Sequence, residues 1–259
     1  MKFSWVRNVT LMPGLRALTY LAYKVAKRVT STYAGAFDPA NADRGIFYTA
    51  NRLLMNEFGL AETIRKKASI DAEGNAVPWY TYPAIEFLKQ LDLSRKSVFE
   101  FGSGNSTLWW AAHARTVRSV EHDPAWYEGM VPRIPGNVKL LLETDGEKYA
   151  GTLDAEYDVI VIDAEWRDKC AAQALKHISD AGMIIVDDAQ RVQNFSEYRR
   201  ALGALQSDPR FMEIDFPGFT PITTYTKITS IFISRQADLK RSSAVYPEFC
   251  IGNLRDEHE

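Results

Sequence analysis

The sequence predicts an α/β protein built on a doubly wound, mostly parallel sheet. Three observations carry that expectation. Short apolar runs alternate regularly with helical stretches between about residues 98 and 188. The strands are continuously hydrophobic, as strands covered on both faces must be. A glycine-containing turn, Phe101-Gly-Ser-Gly104, follows the first of them.

The elements follow in order. From Leu15, the apolar residues Leu18, Ala22, Val25 and Val29 recur at three- and four-residue steps, which predicts an amphipathic helix with a basic face. A second helical stretch is expected over 44–67, and Asp71–Asn75 reads as a turn. Val98–Phe101, Thr116–Val120, Val138–Leu142, Tyr157–Ile162 and Gly182–Val186 are the expected parallel strands. Helices are expected over Asn105–Ala114, from Pro124 and over Asp168–Ile178. After a further helix beyond Phe195, Phe211–Phe216 and Ile228–Ser234 read as a pair of strands forming an antiparallel edge. The architecture is therefore Rossmann-like with a helical N-terminal extension. The divisions expected are 1–75 for the extension, 76–240 for the sheet domain and 241–259 for a tail.

Bulk composition narrows the function classes. With 259 residues, 46% hydrophobic and 25% charged, the chain has the make-up of a soluble globular protein. A net charge of −2 gives no general attraction to nucleic acid. Six of the 31 basic residues and none of the 33 acids lie in the first 37 positions, leaving the remainder at about −8. Residues 1–30 are thus a candidate for peripheral membrane contact, or for a packed cap or homodimer element. The two cysteines, Cys170 and Cys250, have neither disulfide-framework nor zinc spacing, which fits a reducing, cytoplasmic compartment. No apolar run is long enough to span a bilayer.

The chemistry concentrates at strand ends. In Glu100-Phe-Gly-Ser-Gly-Asn-Ser-Thr107, Gly102 and Gly104 allow a tight turn and close approach to a ligand. The helix that follows offers free N–H groups. Thr107 stands where a dinucleotide fingerprint would have its third glycine, which argues against NAD. Glu121 ends the second strand 19 residues after Gly102, where an acid can accept hydrogen bonds from both hydroxyls of a ribose. Asp123 reads as the cap of the next helix.

On these residues the sequence resembles the class I S-adenosylmethionine-dependent methyltransferases over roughly residues 80–235. The resemblance implies that Glu100, Gly102, Ser103, Gly104, Asn105 and Ser106 form the first cofactor motif around the methionine part. It implies that Glu121 binds the ribose, that Asp145 and Gly146 lie at the adenine, and that Asp163 faces the reacting end. Asp163 with Glu165, and Asp187 with Asp188, bring acids to the ends of neighbouring strands, where they repel unless a cation intervenes. The metal-dependent catechol- and macrocin-type O-methyltransferases look similar here, which implies Asp163, Asp187 and Asp188 as ligands of Mg²⁺. The alternative is that Asp163 orients substrate directly and Asp188 caps the next helix.

Asp163 and His122 are the candidate bases. Trp79, Tyr80 and Tyr82, in the stiff segment Pro78–Pro83, and Arg167 are candidate substrate contacts. His113, His177, Trp109 and Trp110 read as structural. The function expected is O-methylation of a small molecule or glycan. An aminopropyl transferase, a silent nucleoside-binding protein and a membrane-associated scaffold are the alternatives.

Overall fold

A computed structural model describes residues 50–243. The chain divides into two compact units, Met1–Asn51 and Arg52–Glu259, and the sheet lies in the second. The amphipathic stretch from Leu15, the basic N-terminus and most of the 241–259 tail lie outside the described residues.

Seven strands form one sheet in the order β3-β2-β1-β4-β5-β7-β6. They are β1 (Ser97–Phe101), β2 (Thr116–Glu121), β3 (Val138–Leu142), β4 (Tyr157–Ile162), β5 (Ile178–Val186), β6 (Phe211–Phe219) and β7 (Thr226–Ser234). The first five are parallel to their neighbours, while β7 runs antiparallel between β5 and β6. The Rossmann-like sheet with an antiparallel C-terminal edge is therefore present. Strands β5, β6 and β7 are longer than their apolar runs suggested. Gly182 accounts for β5: it packs against Ile178 and the Asp158 carbonyl, so the strand continues through an irregular register back to Ile178.

Alternation along the buried strands explains the double winding. Phe99, Phe101, Ile160, Ile162, Ile184, Val186 and Phe232 point to one face, with Cys170, Ala174, Ala201 and Leu205. The latter four come from helices α6 (Arg167–His177) and α7 (Ser196–Gln206). Val98, Val159, Val161, Met183, Ile185 and Ile231 point to the other face. There they meet Ile85 and Leu88 of α2 (Tyr82–Lys89), and Trp109 and Trp110 of α3 (Asn105–His113). Both of these tryptophans are core, as expected.

The helical stretch expected over 44–67 is interrupted. Residues 50–57 are helical, ending in a π turn, and α1 runs over Leu60–Lys66. Gly59 breaks the run with φ +74; a Cβ there would lie 2.6 Å from the Ala72 backbone nitrogen. Asp71–Asn75 forms the expected turn, with Asp71 Oδ1 accepting from the Asn75 N–H at 2.7 Å. Two short helices, α4 (Pro124–Met130) and α5 (Gly146–Ala150), follow β2 and β3. Asp123 caps α4 through the amides of Ala125 and Trp126, as its position before Pro124 suggested.

Asp158 fastens the central β1–β4 pair at the amino ends of the two strands. Its Oδ2 accepts from the Ser97 amide at 2.8 Å and the Ser97 hydroxyl at 2.9 Å, with Lys96 Nζ 3.3 Å from Oδ1. Burial works against the charged carboxylate, but the Ser97 and Lys96 contacts outweigh it and its pKa is lowered. A lowered folded pKa contributes stability above the ordinary aspartate value of about 3.9, lost as pH falls through the folded value. Asp158→Asn should therefore cost about 1–2 kcal/mol at pH 7 and much less at pH 3, read from urea midpoints.

Candidate active site

The site lies at the carboxyl ends of β1, β2, β4 and β5, around the point where the chain reverses its order between β1 and β4. Gly102 makes the first turn with φ +93, and its N–H donates to the Val120 carbonyl at 2.9 Å. A Cβ at Gly102 would lie on the Asp163 carbonyl, at 2.1 Å, so the chain admits glycine alone there. Gly104 is different. Its backbone is extended, and a Cβ would meet nothing nearer than the Trp126 ring at 3.9 Å. The loop is therefore open on that side.

Behind the loop stands Glu100, fully buried. Its Oε2 accepts from the Thr107 hydroxyl at 2.5 Å and the Ser119 hydroxyl at 3.2 Å, and Thr107 Oγ1 in turn accepts the Gly104 N–H at 3.0 Å. Oε1 is buried without a hydrogen-bond partner. Burial pushes the Glu100 carboxyl up to about 7, against the hydroxyls of Ser106, Thr107 and Ser119. Thr107 fills the position of the third glycine of a dinucleotide fingerprint with a buried, fully used side chain. That is a physical reason for the departure from the NAD pattern.

Glu121 closes the loop from β2. Oε2 accepts from the Ser103 amide at 3.1 Å and its hydroxyl at 2.8 Å, and Oε1 from the amides of His122 and Asp123 at 2.8 and 3.0 Å. The carboxylate is thus fixed by four donors at the mouth of the loop. Asn105 opens α3, bonding the Ser69 carbonyl at 2.6 Å and accepting from Arg133 at 2.7 Å. Sequence reasoning missed Trp126. Its indole N–H donates to the Ser103 carbonyl at 2.7 Å, and its exposed ring lies beside Gly104.

On the β2–β3 side the structure gathers an aromatic group. Trp166 tilts over Tyr149 with ring centroids 5.3 Å apart and meets the His122 ring at 5.8 Å. It lies so close to Gly146 that a Cβ there would be 2.7 Å from the indole. Asp145 caps α5 through the amides of Glu147 and Lys148, which hold its carboxyl below the usual range. His122 therefore sits two strands away from Asp163, in the aromatic group rather than beside the other candidate base. His113 and His177 bond backbone carbonyls of Trp109 and Ala155, consistent with structural roles.

The acids after β4 and β5 do meet, but not as a metal site. Asp163 Oδ1 lies 3.2 Å from Arg167 Nη2. Asp187, fully buried, accepts from the Thr229 hydroxyl at 2.7 Å. Asp188 binds Lys227 Nζ at 2.9 Å, Gln190 at 3.1 Å and Arg191 at 3.1 Å. Lys227, buried on β7, also approaches Asp187 at 3.8 Å. Among the described residues no group of acids, histidines or cysteines is placed to hold a metal ion. The expectation of Mg²⁺ on Asp163, Asp187 and Asp188 finds no support here: Arg167 lies against Asp163, and Lys227 against Asp187 and Asp188. Asp188 stands at the start of the short helix Ala189–Gln193, but its side chain makes no cap. Glu165 is exposed and outside the cluster.

Burial raises the Asp163 carboxyl, with Arg167 opposing and Asp188 adding to the shift, and pushes Asp187 up to about 8 with the Asp163 charge assisting. Of the three side chains only that of Asp163 is substantially exposed, at 33% against 2% and 8%.

Two of the expected substrate contacts are redirected. Tyr80 is fully buried with its hydroxyl beside the Trp110 indole at 3.4 Å, and Tyr82 packs on Phe58 at the start of α2. The Pro78–Pro83 segment threads into the core because Thr81, itself fully buried, pins it. Its amide donates to Thr229 Oγ1 at 3.0 Å, and its hydroxyl to the Phe216 carbonyl at 2.8 Å. Trp79 alone of the three stays exposed, its ring 4.4 Å from Lys227 Nζ. Arg167 is buried against the Tyr198 ring at 4.5 Å while holding Asp163.

No family model matches the chain, and no curated protein matches it. Solved structures do. An O-methyltransferase from Bacillus cereus in complex with SAH is 19% identical, with 68% of this chain and 90% of that chain covered at a TM-score of 0.50. The O-methyltransferase TomG from Streptomyces achromogenes, involved in tomaymycin synthesis and solved with SAM, is 14% identical over 80% of this chain and 96% of its own, at 0.49. The Bacillus cereus likeness shows the fold alone: this chain has the sheet architecture of that O-methyltransferase.

Proposed function

We propose that this chain is an S-adenosylmethionine-dependent methyltransferase acting on a hydroxyl of a small molecule or glycan. The observation that carries the reading is Glu121, fixed by four donors beside an open glycine loop at the sheet's reversal point. Those donors take about all four lone-pair positions of the carboxylate, and rotation of the Ser103 hydroxyl would free one of them for a ribose hydroxyl.

The residues present fit the cofactor. Gly104 offers backbone without a side chain, and the unpartnered Oε1 of Glu100 leaves an acceptor behind the loop. Gly102, Ser103, Gly104, Asn105 and Ser106 would hold the methionine part, and Glu121 the ribose. Asp145, Gly146, His122 and Trp166 would flank the adenine. When bound, the cofactor supplies a methyl group activated on a sulfonium. Asp163 is the exposed carboxylate on the acceptor side, and Arg167 holds only its Oδ1. Its Oδ2 is therefore the atom to orient an acceptor hydroxyl and take its proton, a role its raised pKa favours. Trp79 would bound the acceptor site from the opposite wall.

Titration calorimetry with S-adenosylhomocysteine tests the assignment. The wild type should bind with micromolar affinity, and Glu121→Ala should bind tenfold or more weakly, roughly 1.4 kcal/mol. A folded wild type that gives no heat sinks the reading, and an unchanged Glu121→Ala removes that residue from the site.

Glu100 gives a second test through pH. Its folded pKa of about 7 lies above the ordinary glutamate value, so the folded state favours the protonated acid. That contribution is full below the unfolded pKa of about 4.3 and is lost as pH rises through the folded value. Glu100→Gln should therefore reduce the fall in melting temperature between pH 5 and pH 8. An unaltered pH profile would show that Glu100 is ionised throughout.

A further inference from the structure

The buried lysine of the candidate site has no part in the reading above. Lys227 comes from β7, the antiparallel strand, and its ammonium enters between the acids that end β4 and β5. It is 2.9 Å from Asp188 Oδ1, 3.8 Å from Asp187 Oδ2 and 4.4 Å from the centre of the Trp79 ring. Gln190 braces the arrangement from both ends. Its amide donates to Asp188 at 3.1 Å, and its oxygen accepts the Ile228 N–H, next to Lys227, at 2.8 Å. Thr229 then fixes Asp187 at 2.7 Å. An ammonium held in this way, with its side chain 4% exposed, does not swing out to solvent. Removing a buried cation would leave uncompensated carboxylates in a low-dielectric space.

We propose that Lys227 is the resident cation of this site: its ammonium lies against Asp187 and Asp188, two of the three acids a divalent metal would need, and the chain works without one. Lys227 is a positioning residue. It neutralises Asp188, stands 3.8 Å from Asp187, and leaves Asp163 as the carboxylate presented to the acceptor, with Arg167 at its side. A consequence for the acceptor rests on the methyltransferase reading. A metal grips a substrate best through two adjacent oxygens, whereas one carboxylate oxygen needs a single hydroxyl. The acceptor class is then a lone hydroxyl rather than a vicinal, chelating pair.

The test is Mn²⁺ binding, followed by electron paramagnetic resonance and calorimetry at pH 8, with no acceptor required. Wild-type protein should take up no Mn²⁺ at the cluster up to about millimolar concentration, with or without S-adenosylhomocysteine. Lys227→Met keeps the aliphatic stem and vacates the ammonium position. It should bind Mn²⁺ at least about tenfold more tightly than wild type, and adding Asp187→Asn should abolish that gain. Wild-type binding that Asp187→Asn removes would overturn the proposal, because the lysine would not then be filling the site. A folded Lys227→Met that binds no Mn²⁺ would overturn it as well. If Lys227→Met does not fold, the comparison of wild type with Asp187→Asn still decides. S-adenosylhomocysteine binding in the same samples separates the two ideas, since its absence refutes the transferase reading and leaves the Mn²⁺ result standing by itself.

Discussion

Everything around the candidate site depends on how closely β1 and β4 approach at their carboxyl ends. The Asp163 N–H bonds the Phe101 carbonyl at 3.0 Å, and the next residue, Gly102, turns with its backbone against the Asp163 carbonyl. That contact leaves no room for a side chain. It also sends the chain over towards β2, where Gly102 bonds Val120 and Ser103 reaches Glu121. One close approach thus sets the position of the loop, of the carboxylate that closes it and of Asp163.

The second organising feature is the number of acids placed in apolar surroundings. Glu100, Asp187 and Asp188 are buried and Asp163 is partly so, in surroundings where an unpartnered charge is costly. The protein answers each differently. Glu100 is held by hydroxyls and tends towards its neutral form. Asp163 and Asp188 are met by arginines, and Asp188 also by Lys227. Asp187 rests on a hydroxyl and favours its protonated form. The antiparallel strand is essential here, because β7 delivers both Lys227 and Thr229 to the centre of the cluster.

Much of this was legible in the sequence, for identifiable reasons. The apolar run Tyr157–Ile162 reads as a strand buried on both faces, and its bounds are those of β4. The Gly102 turn and Glu121 were found because their spacing reflects a local strand–turn–helix–strand unit. The gathering of Asp163, Asp187 and Asp188 was visible as a consequence of parallel strand ends. What balances their charge was not, because Lys227 lies some 40 residues on in a strand whose pairing partner no local pattern specifies. The same limit applies to Tyr80 and Tyr82. Their composition suggested a ligand wall, but Thr81 is tied to β6 and β7 and draws both rings into the core. Trp126 was overlooked because nothing near it in sequence points to Ser103, 23 positions earlier.

Trp126 also gives the molecule a built-in optical reporter. Its indole is half exposed, bonded to the backbone of the glycine loop, while Trp109 and Trp110 are sealed in the core. Fluorescence depends on the polarity around the indole, so the buried pair supplies a steady background and Trp126 a signal tied to the loop. Trp166, tilted over Tyr149 at the other end of the cleft, is a second such reporter. Occupation of the two ends of one cleft can therefore be watched separately in this protein without attaching a label, by keeping one of these indoles at a time.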